Sequence, residues 1–346
     1  MINSWPSNTG LNHRSGVTLA DVLVSLGVIG VLMAVTLPAV QRARENARQL
    51  QCRDNLRQFG IATQNHLATR IDKFPYTATN GSDSQGQVLL ASVSPHQSLL
   101  DFLDLSDLRQ SLRSDPLIVN ETGVPPRFTD PTLQQLLSIR IPVFLCPSDV
   151  QRPGATNYRA NMGFGPGIYG PGPPVINGFA GNVSGAFVHG RNTRPFEFRD
   201  GFSNTILFSE RLIGDGDSSR FAPQADFYFA STYQISTADD AVQACGSLAD
   251  PNPIHASFCG WSWWFGGWNS TWYNHILPPN SRIPDCSEGT YAMAGGGSGV
   301  YSARSFHIDG VNAVFADGST RFVSNQIDLL AWRSLSTRRG EENDSE

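Results

Sequence analysis

His307 is the residue whose spacing most invites a chemical interpretation. Nine residues separate it from the pair Asp317-Gly318. A metal site normally needs three or four convergent ligands, and the sequence has no H-E-x-x-H spacing and no G-x-S-x-G elbow. We therefore interpret His307, Asp317 and Gly318 as a structural motif. We predict no catalytic residue, no cofactor and no metal site, and hence a protein that is not an enzyme.

A short acidic loop is the remaining candidate for a cation. Asp215 and Asp217 flank Gly216 and offer the hard carboxylate oxygens that Ca²⁺ prefers. The loop lacks the later bidentate Glu of an EF-hand. Asp215 and Asp217 are therefore weak calcium candidates, and a solvated turn is the favoured interpretation.

Five cysteines are spread along the chain, and no two of them form a C-x-x-C pair. Zinc knuckles and thioredoxin-like chemistry are therefore disfavoured, and disulfides are the expected state in an exported protein. We predict that Cys52 pairs with Cys146. For a second bridge, Cys245 with Cys286 is favoured, and Cys259 with Cys286 is the alternative.

A tryptophan-rich segment contains five of the seven tryptophans, at positions 261, 263, 264, 268 and 272. Exposed tryptophans stack on sugars or anchor protein interfaces. The favoured alternative is that the rings pack onto a β core. Carbohydrate or protein contact stays open for Trp261, Trp263, Trp264 and Trp268.

An apolar stretch without charged residues occupies residues 22–40, near the N-terminus. Its 19 residues would form a helix of about 28 Å, which matches a hydrocarbon core of about 30 Å. Apolar residues at helical spacing continue from Val40 through Leu50 and Phe59 to about Ala68. The pattern predicts one long helix, a membrane span followed by an amphipathic extension.

A polar leader of 16 residues precedes this helix and ends at Gly16. The order of leader, Gly16, Val17 and span resembles the class III signal of type IV prepilins and type II secretion pseudopilins. The resemblance implies that a prepilin peptidase cleaves after Gly16 and methylates the amine of Val17. It also implies a subunit-assembly role for Asp21, which stands where the family has Glu, and it includes Pro38 within the span.

The rest of the chain is predicted to form a short helix, strands and loops. Leucines at helical spacing favour a helix over about residues 97–112. Three strands at residues 304–308, 311–316 and 319–323 are predicted to be antiparallel, with type I′ turns at the two Asp-Gly pairs. Alternation in these strands places His307 opposite Asn312 and gives one core-facing side: Phe306, Ile308, Val311, Ala313, Phe315 and Phe322.

The His-x9-Asp-Gly spacing is similar to the C-terminal signature of a large bacterial family of prepilin-like proteins. Further segments match that family in the same order: FLCPSD at 144–149, NYRANMG at 157–163, DGFSNTILFSE at 200–210, LPPNS at 277–281 and IDLLAWRSLSTRRGEE at 327–342. The resemblance covers nearly the whole chain. It implies an architecture and a location rather than a mechanism.

Composition and charge fit an α+β protein and argue against a protein that binds nucleic acid. Hydrophobic residues make up 40% and charged residues 16% of the chain, with 33 Gly and 22 Pro, which favours short strands and turns. The net charge of −5 and the scattered basic residues argue against nucleic acid as a partner. The predicted domains are a leader (1–16), a prepilin-type helix (17–70) and a mainly antiparallel β head (71–346).

We expect a single-pass protein of the inner membrane, with its head in the periplasm or cell envelope. The expected partners are the prepilin peptidase and other pilin-like subunits. The expected role is a structural or assembly component of a type IV pilus or a type II secretion-like system, including incorporation into a surface filament. The alternative is a membrane-tethered binding module for carbohydrate or another solute, acting through the tryptophan-rich segment.

Overall fold

The longest element of the protein is a helix, α1, which spans Leu19–Thr69 (51 residues). The computed structural model describes residues 19–70, 72–77, 81–82, 88–89, 93–112, 119–120, 127–128, 135–165, 184–230, 235, 237–247, 253–288 and 299–340. Gly16 and Val17 of the predicted cleavage site lie outside these residues, and so does the side chain of Asp21. The chain divides into two units, Met1–Ala47 and Arg48–Glu346.

The first unit contains the apolar part of α1. Every residue of 19–44 whose burial is described is exposed, and the helix continues through Pro38. Within the described residues, α1 is the one helix long and apolar enough to cross a membrane. The predicted apolar helix is therefore confirmed, with its hydrophobic side chains unpacked.

In the second unit, the C-terminal part of α1 packs one face into the main hydrophobic core. Leu56, Phe59 and Ala62 on this face are fully buried. The Phe59 ring lies 5.1 Å from the ring of Phe208 and 5.6 Å from that of Tyr158, centroid to centroid. The amphipathic extension is thus confirmed for this part. Leu50, predicted on the same face, is instead 57% exposed.

The single helix predicted over residues 97–112 is wrong. The chain forms α2 (Pro95–Leu99), a 3₁₀ turn (Leu100–Phe102) and α3 (Ser106–Ser111). Asp104 between them has a φ of 58°, which no helix accommodates. The leucines still serve as apolar anchors, because Leu99, Leu100 and Leu112 are buried.

Most of the remaining structure is a mixed β fold. The described strands are β1 Gly81–Ser82, β2 Val88–Leu89, β3 Val119–Asn120, β4 Arg127–Phe128, β5 Tyr158–Asn161, β6 Ile206–Glu210, β7 Phe227–Phe229, β8 His255–Ala256, β9 Trp272–Tyr273, β10 Asp285–Ser287, β11 Gly299–Val300, β12 Gly310–Phe315 and β13 Thr320–Ser324. A five-stranded sheet has the order β13-β12-β6-β5-β9, and a four-stranded sheet has the order β11-β10-β7-β8. Only the β5–β9 and β7–β10 pairs are parallel among the described strands. Two further helices are α4 (Ala238–Gly246) and α5 (Leu329–Ser334). The α+β class is confirmed.

The predicted C-terminal meander is correct for two of its three strands. Strands β12 and β13 pair antiparallel with Val314 opposite Thr320, whereas residues 304–308 form no strand. Both faces of β12 are buried, so the core does not lie on one side as predicted. Three members of the predicted core face, Phe306, Ile308 and Phe322, are exposed.

The hairpin turn also differs from the predicted type I′. The Phe315 carbonyl accepts a hydrogen bond from the Gly318 amide, and the Phe315 amide donates to the Ser319 carbonyl. Gly318 has a φ of 83°, but Asp317 has no positive φ, as type I′ would require at both central residues. The turn therefore has the three-residue form that ends in a left-handed glycine.

Gly60 of α1 lies against this turn. A Cβ added at Gly60 would stand 2.9 Å from the Gly318 carbonyl oxygen and 2.8 Å from Cγ2 of Val314. The absence of a side chain at Gly60 therefore lets α1 approach the β12–β13 hairpin.

Gly60→Ala is expected to destabilise the protein by about 1 to 3 kcal/mol, because backbone atoms must shift to admit the new methyl group. Thermal unfolding of the detergent-solubilised chain measures the change. Gly246→Ala is the matched control, since nothing lies within 4 Å of its added Cβ. Equal stability of the two variants would show that α1 does not dock as described.

Candidate functional site

His307 lies in a buried cluster rather than on a strand. Its Nε2 atom is 3.3 Å from Oε1 of Glu210 and 3.4 Å from Sγ of Cys146. All three side chains are buried. The predicted position of His307 across from Asn312 is therefore wrong, because the chain before β12 turns at Asp309 (φ 65°) and carries the imidazole toward the end of β6.

Glu210, the last residue of β6, is held in place by β12. Its Oε2 accepts a hydrogen bond from the Asn312 amide (2.7 Å), and its Oε1 accepts one from Asn312 Nδ2 (3.0 Å). The carboxylate is thus oriented by the neighbouring strand and directs Oε1 toward His307. A buried carboxylate is costly unless hydrogen bonds or charges compensate it, so this arrangement fixes its position.

The Cys52–Cys146 disulfide borders His307. Its Cα atoms are 5.0 Å apart, and it connects α1 to the loop after the 3₁₀ turn Pro142–Phe144. The amide of Cys146 donates to Oδ1 of Asn157 (2.8 Å). This is the pairing predicted from the sequence.

The second disulfide joins Cys245 at the end of α4 to Cys286 in β10, with Cα atoms 5.3 Å apart. This pairing is also the favoured prediction. Cys259 is a buried free thiol, so the alternative Cys259–Cys286 bridge is wrong. Burial raises the pKa of the Cys259 thiol, although Arg211 and Arg159 act in the opposite direction.

Four potential metal ligands meet at the first disulfide. One ligand atom from each of Cys52, Cys146, Glu210 and His307 lies within 4.8 Å of all the others. Cys52, Cys146 and His307 are candidate residues from the sequence, but Glu210 is not, and no sequence pattern places His307 beside the cysteines. The members are far apart in the sequence, so no local spacing signalled their convergence.

Asp317 and Gly318 of the spacing motif have separate structural roles. Oδ1 of Asp317 accepts hydrogen bonds from the amide (2.8 Å) and hydroxyl (2.6 Å) of Ser319. Gly318 supplies the positive φ of the turn. The motif thus combines a buried histidine with a hairpin turn.

A buried ionic triad is formed around Asp285, the first residue of β10. Oδ2 of Asp285 accepts from Nη2 of Arg211 (2.7 Å), and its Oδ1 accepts from Nη2 of Arg304 (2.9 Å). Burial alone would raise the pKa of Asp285, but Arg304 and Arg211 outweigh it and lower the pKa. The triad joins β10 to the segments that follow β6 and β11.

The tryptophan-rich segment is part of the core. Trp263, Trp268 and Trp272 are fully buried, and Trp264 is 8% exposed. The Trp268 ring stacks on Tyr301 with centroids 5.0 Å apart. Packing into the core, the favoured prediction, is confirmed for Trp263, Trp264 and Trp268. Carbohydrate or protein contact by these residues stays a prediction, and their buried rings do not support it.

Trp261 is partly buried and packs against a separate small cluster formed by Leu145, Ala155 and Ile213. Its Nε1 donates to the Gly214 carbonyl (2.9 Å), and the guanidinium of Arg152 lies 3.6 Å from the ring centroid. These contacts occupy the indole within the protein. The favoured prediction of β-core packing holds for the segment.

The acidic loop has the geometry of a solvated turn. Asp215 and Asp217 are exposed. Oδ1 of Asp215 accepts from the Asp217 amide, and Oδ1 of Asp217 accepts from Ser219. Hydrogen bonds from the Ser219 side chain and amide lower the pKa of Asp217. The carboxylates thus serve the turn itself.

Asp226 is a buried carboxyl group with an unusual titration. Burial raises its pKa to about 6; the Ala222 amide and His255 oppose this shift, and Asp215 adds to it. Its Oδ1 has no hydrogen-bond partner among the described residues. Folding therefore favours the protonated form of Asp226 relative to the unfolded chain.

A carboxyl group whose pKa is higher in the folded state stabilises the folded protein when it is protonated. This contribution to the free energy of unfolding is complete at a pH below the unfolded pKa, and it is lost as the pH rises through the folded pKa. Asp226 is thus expected to lower the free energy of unfolding as the pH rises from about 4 to about 6. Asp226→Asn should reduce this slope and be relatively more stable at pH 7. Urea unfolding at several pH values measures it, and an unchanged slope would contradict the assignment.

Comparisons with known proteins place the chain in a family. The comparison with curated proteins and the comparison with solved structures found no match. Residues 41–330 match the family described as "Protein of unknown function (DUF1559)". The match begins within α1, and it includes both disulfides and all four residues of the cluster around His307. Because it covers most of the sequence, the chain belongs to the DUF1559 family.

Proposed function

We propose that the protein is a membrane-anchored, pilin-like structural subunit whose head is exported. The observation that carries this proposal is the apolar N-terminal part of α1, with every described side chain of residues 19–44 exposed. Burying a valine, leucine or isoleucine side chain contributes about 1.5 to 3 kcal/mol. So many exposed apolar side chains around residues 22–40, a stretch without charged residues, favour a bilayer as its surroundings.

The two disulfides support export of the second unit. Both pairs are buried in its interior, and structural disulfides persist mainly in oxidising compartments. A head in the periplasm or cell envelope is consistent with this chemistry. We assign the apolar helix to the inner membrane.

The role as a processed subunit of a filament rests on the resemblance of the leader to prepilins. Cleavage after Gly16 by a prepilin peptidase would leave the span on the mature chain, with a methylated Val17 at its start. Asp21 would then neutralise the terminal amine of a neighbouring pilin-like subunit, because an unpaired charge within lipid is costly. Assembly into a type IV pilus or a type II secretion-like filament follows from this pairing. The role is structural rather than enzymatic.

Membrane fractionation tests the anchor. The chain is expected to stay in the membrane pellet through high-salt washing and to be released by detergent. Ile29→Lys combined with Leu32→Lys should release it, since a Lys at the centre of a span costs about 2.5 to 3.5 kcal/mol.

The matched control places the same charges on the same helix beyond the span. Leu50→Lys combined with Ile61→Lys changes two side chains that are 57% and 49% exposed, and this variant should remain in the membrane. Release of the native chain by salt alone, or equal behaviour of the two double variants, would refute the anchor.

A further inference from the structure

We propose that the cluster of Cys52, Cys146, Glu210 and His307 is a redox-controlled metal site. In the oxidised protein the two cysteines form the disulfide. When that bond is reduced, the four side chains bind one Zn²⁺ or a similar borderline-soft divalent cation. The disulfide and the metal ion therefore exclude each other, because both use the sulfur atoms of Cys52 and Cys146.

The donor set fits zinc. Two thiolates, one imidazole and one carboxylate are all zinc ligands, and four of them complete the tetrahedral shell of a closed structural site. Calcium and magnesium prefer shells made of oxygen atoms, and this cluster offers oxygen only from Glu210. The chemistry of the site therefore selects a thiophilic cation.

The distances are short enough for a common ion. The four ligand atoms lie within 4.8 Å of one another, and bonds of about 2.0 to 2.3 Å to a shared centre place tetrahedral ligands about 3.3 to 3.8 Å apart. Once the disulfide is broken, the two sulfur atoms must separate to about this distance by side-chain rotation. The Cα atoms of Cys52 and Cys146 are 5.0 Å apart, and this separation requires no rearrangement of the backbone elements.

The supporting contacts are already present around the ligands. Asn312 holds the Glu210 carboxylate with two hydrogen bonds, and Asn157 binds the Cys146 amide. Ser305 accepts a hydrogen bond from the His307 amide through its hydroxyl oxygen (3.2 Å). Hydrogen bonds that hold ligand residues in place orient them toward a metal ion and raise its affinity.

Charge explains why reduction and metal binding are linked. Two thiolates and the Glu210 carboxylate would carry a charge of about −3 in a buried site, which a divalent cation reduces to about −1. A cysteine must lose its thiol proton to bind a metal ion. Metal binding therefore releases protons and stabilises the reduced chain.

The reduction step is a thiol–disulfide exchange with a dithiol. The dithiol is oxidised to its own disulfide, and two electrons break the Cys52–Cys146 bond. The two protons of the dithiol pass to the cysteine sulfurs, giving two thiols. Binding of Zn²⁺ then displaces both protons to solvent.

The test is metal binding by the full chain in detergent, before and after treatment with a dithiol. The reduced protein, freed of excess dithiol, is expected to bind about one equivalent of Zn²⁺, and the oxidised protein none. Co²⁺ should give the absorption bands of tetrahedral thiolate ligation in the reduced protein alone. His307→Gln and Glu210→Gln should each abolish tight binding, and Asn312→Ala should weaken it by about 10- to 100-fold.

The other disulfide supplies the controls. Cys245→Ala should bind Zn²⁺ as the native chain does, because Cys245 and Cys286 lie outside the cluster. Within one reduced molecule, Zn²⁺ should protect Cys52 and Cys146 from alkylation but leave Cys245 and Cys286 reactive. This peptide-level measurement needs no variant and so does not depend on a variant's folding.

Several outcomes would overturn the proposal. They are Zn²⁺ binding by the oxidised chain, undiminished binding by His307→Gln or Glu210→Gln, and equal alkylation of all four cysteines with and without Zn²⁺. A reduced chain that loses its tertiary circular-dichroism signal and does not regain it with Zn²⁺ would also count against a metal-stabilised reduced state.

Discussion

Asp285→Asn is expected to lower the free energy of unfolding by about 3 to 5 kcal/mol, because it leaves two buried guanidinium groups without their shared counter-charge. Arg211, Asp285 and Arg304 are all at most 2% exposed. The asparagine side chain keeps the size of the aspartate but cannot supply a negative charge. Chemical denaturation of the detergent-solubilised chain at neutral pH measures the loss.

The matched control is Asp239→Asn. The Asp239 carboxylate is 93% exposed and lies 3.9 Å from Arg333, and an exposed pair of this kind contributes about 0 to 1 kcal/mol. A loss at Asp285 no larger than that at Asp239 would mean that the triad is solvated, contrary to the structure.

The pH dependence gives an independent signature of the triad. Since Arg304 and Arg211 lower the pKa of Asp285 below its ordinary value of 3.8, its contribution is present above about pH 4 and is lost as the pH falls through the folded value. The native chain should therefore lose stability in acid below about pH 4, and Asp285→Asn should lack this part of the loss.

Cys52→Ala is the second substitution with a large expected effect. Removing the Cys52–Cys146 bridge should cost about 2 to 5 kcal/mol, because the unfolded chain regains the freedom of a long loop. The bridged residues are 94 positions apart, against 41 for Cys245 and Cys286. The loss should therefore equal or exceed that in Cys245→Ala.

Thermal unfolding of both variants, with and without a reductant, measures this difference. The native chain under reducing, metal-free conditions should be less stable than either single variant under oxidising conditions. If Cys52→Ala unfolds at the same temperature as the oxidised native chain, the bridge does not hold α1 to the rest of the second unit.

The parts of the fold that could be predicted from sequence are those with a local or chemical signature. The apolar span and the buried face around Phe59 follow helical spacing. The two disulfides could be predicted because export favours pairing and few cysteines are available. Cys259 was excluded from a bridge only by the structure.

The predictions that failed depend on tertiary contacts. Alternation suggested a strand at residues 304–308, but there Arg304 binds Asp285 and Ser305 donates through its hydroxyl to the Gly310 carbonyl. These contacts replace a strand ladder. They also direct His307 toward Glu210 and the first disulfide.

Residues that share a buried site but lie far apart in sequence gave no signal. Glu210 precedes Asn312 by 102 positions, and Arg211 precedes Asp285 by 74. A lone glutamate at a strand end usually indicates a solvated position. Its burial here depends on β12 lying beside β6, which no local pattern in the sequence specifies.

Mass spectrometry of the native N-terminus is the decisive measurement for a processed, membrane-anchored pilin-like subunit. The mature chain is expected to begin at Val17, to carry one methyl group on its terminal amine and to retain the apolar span of α1. A chain that still begins at Met1, or one cleaved after the span, would contradict it.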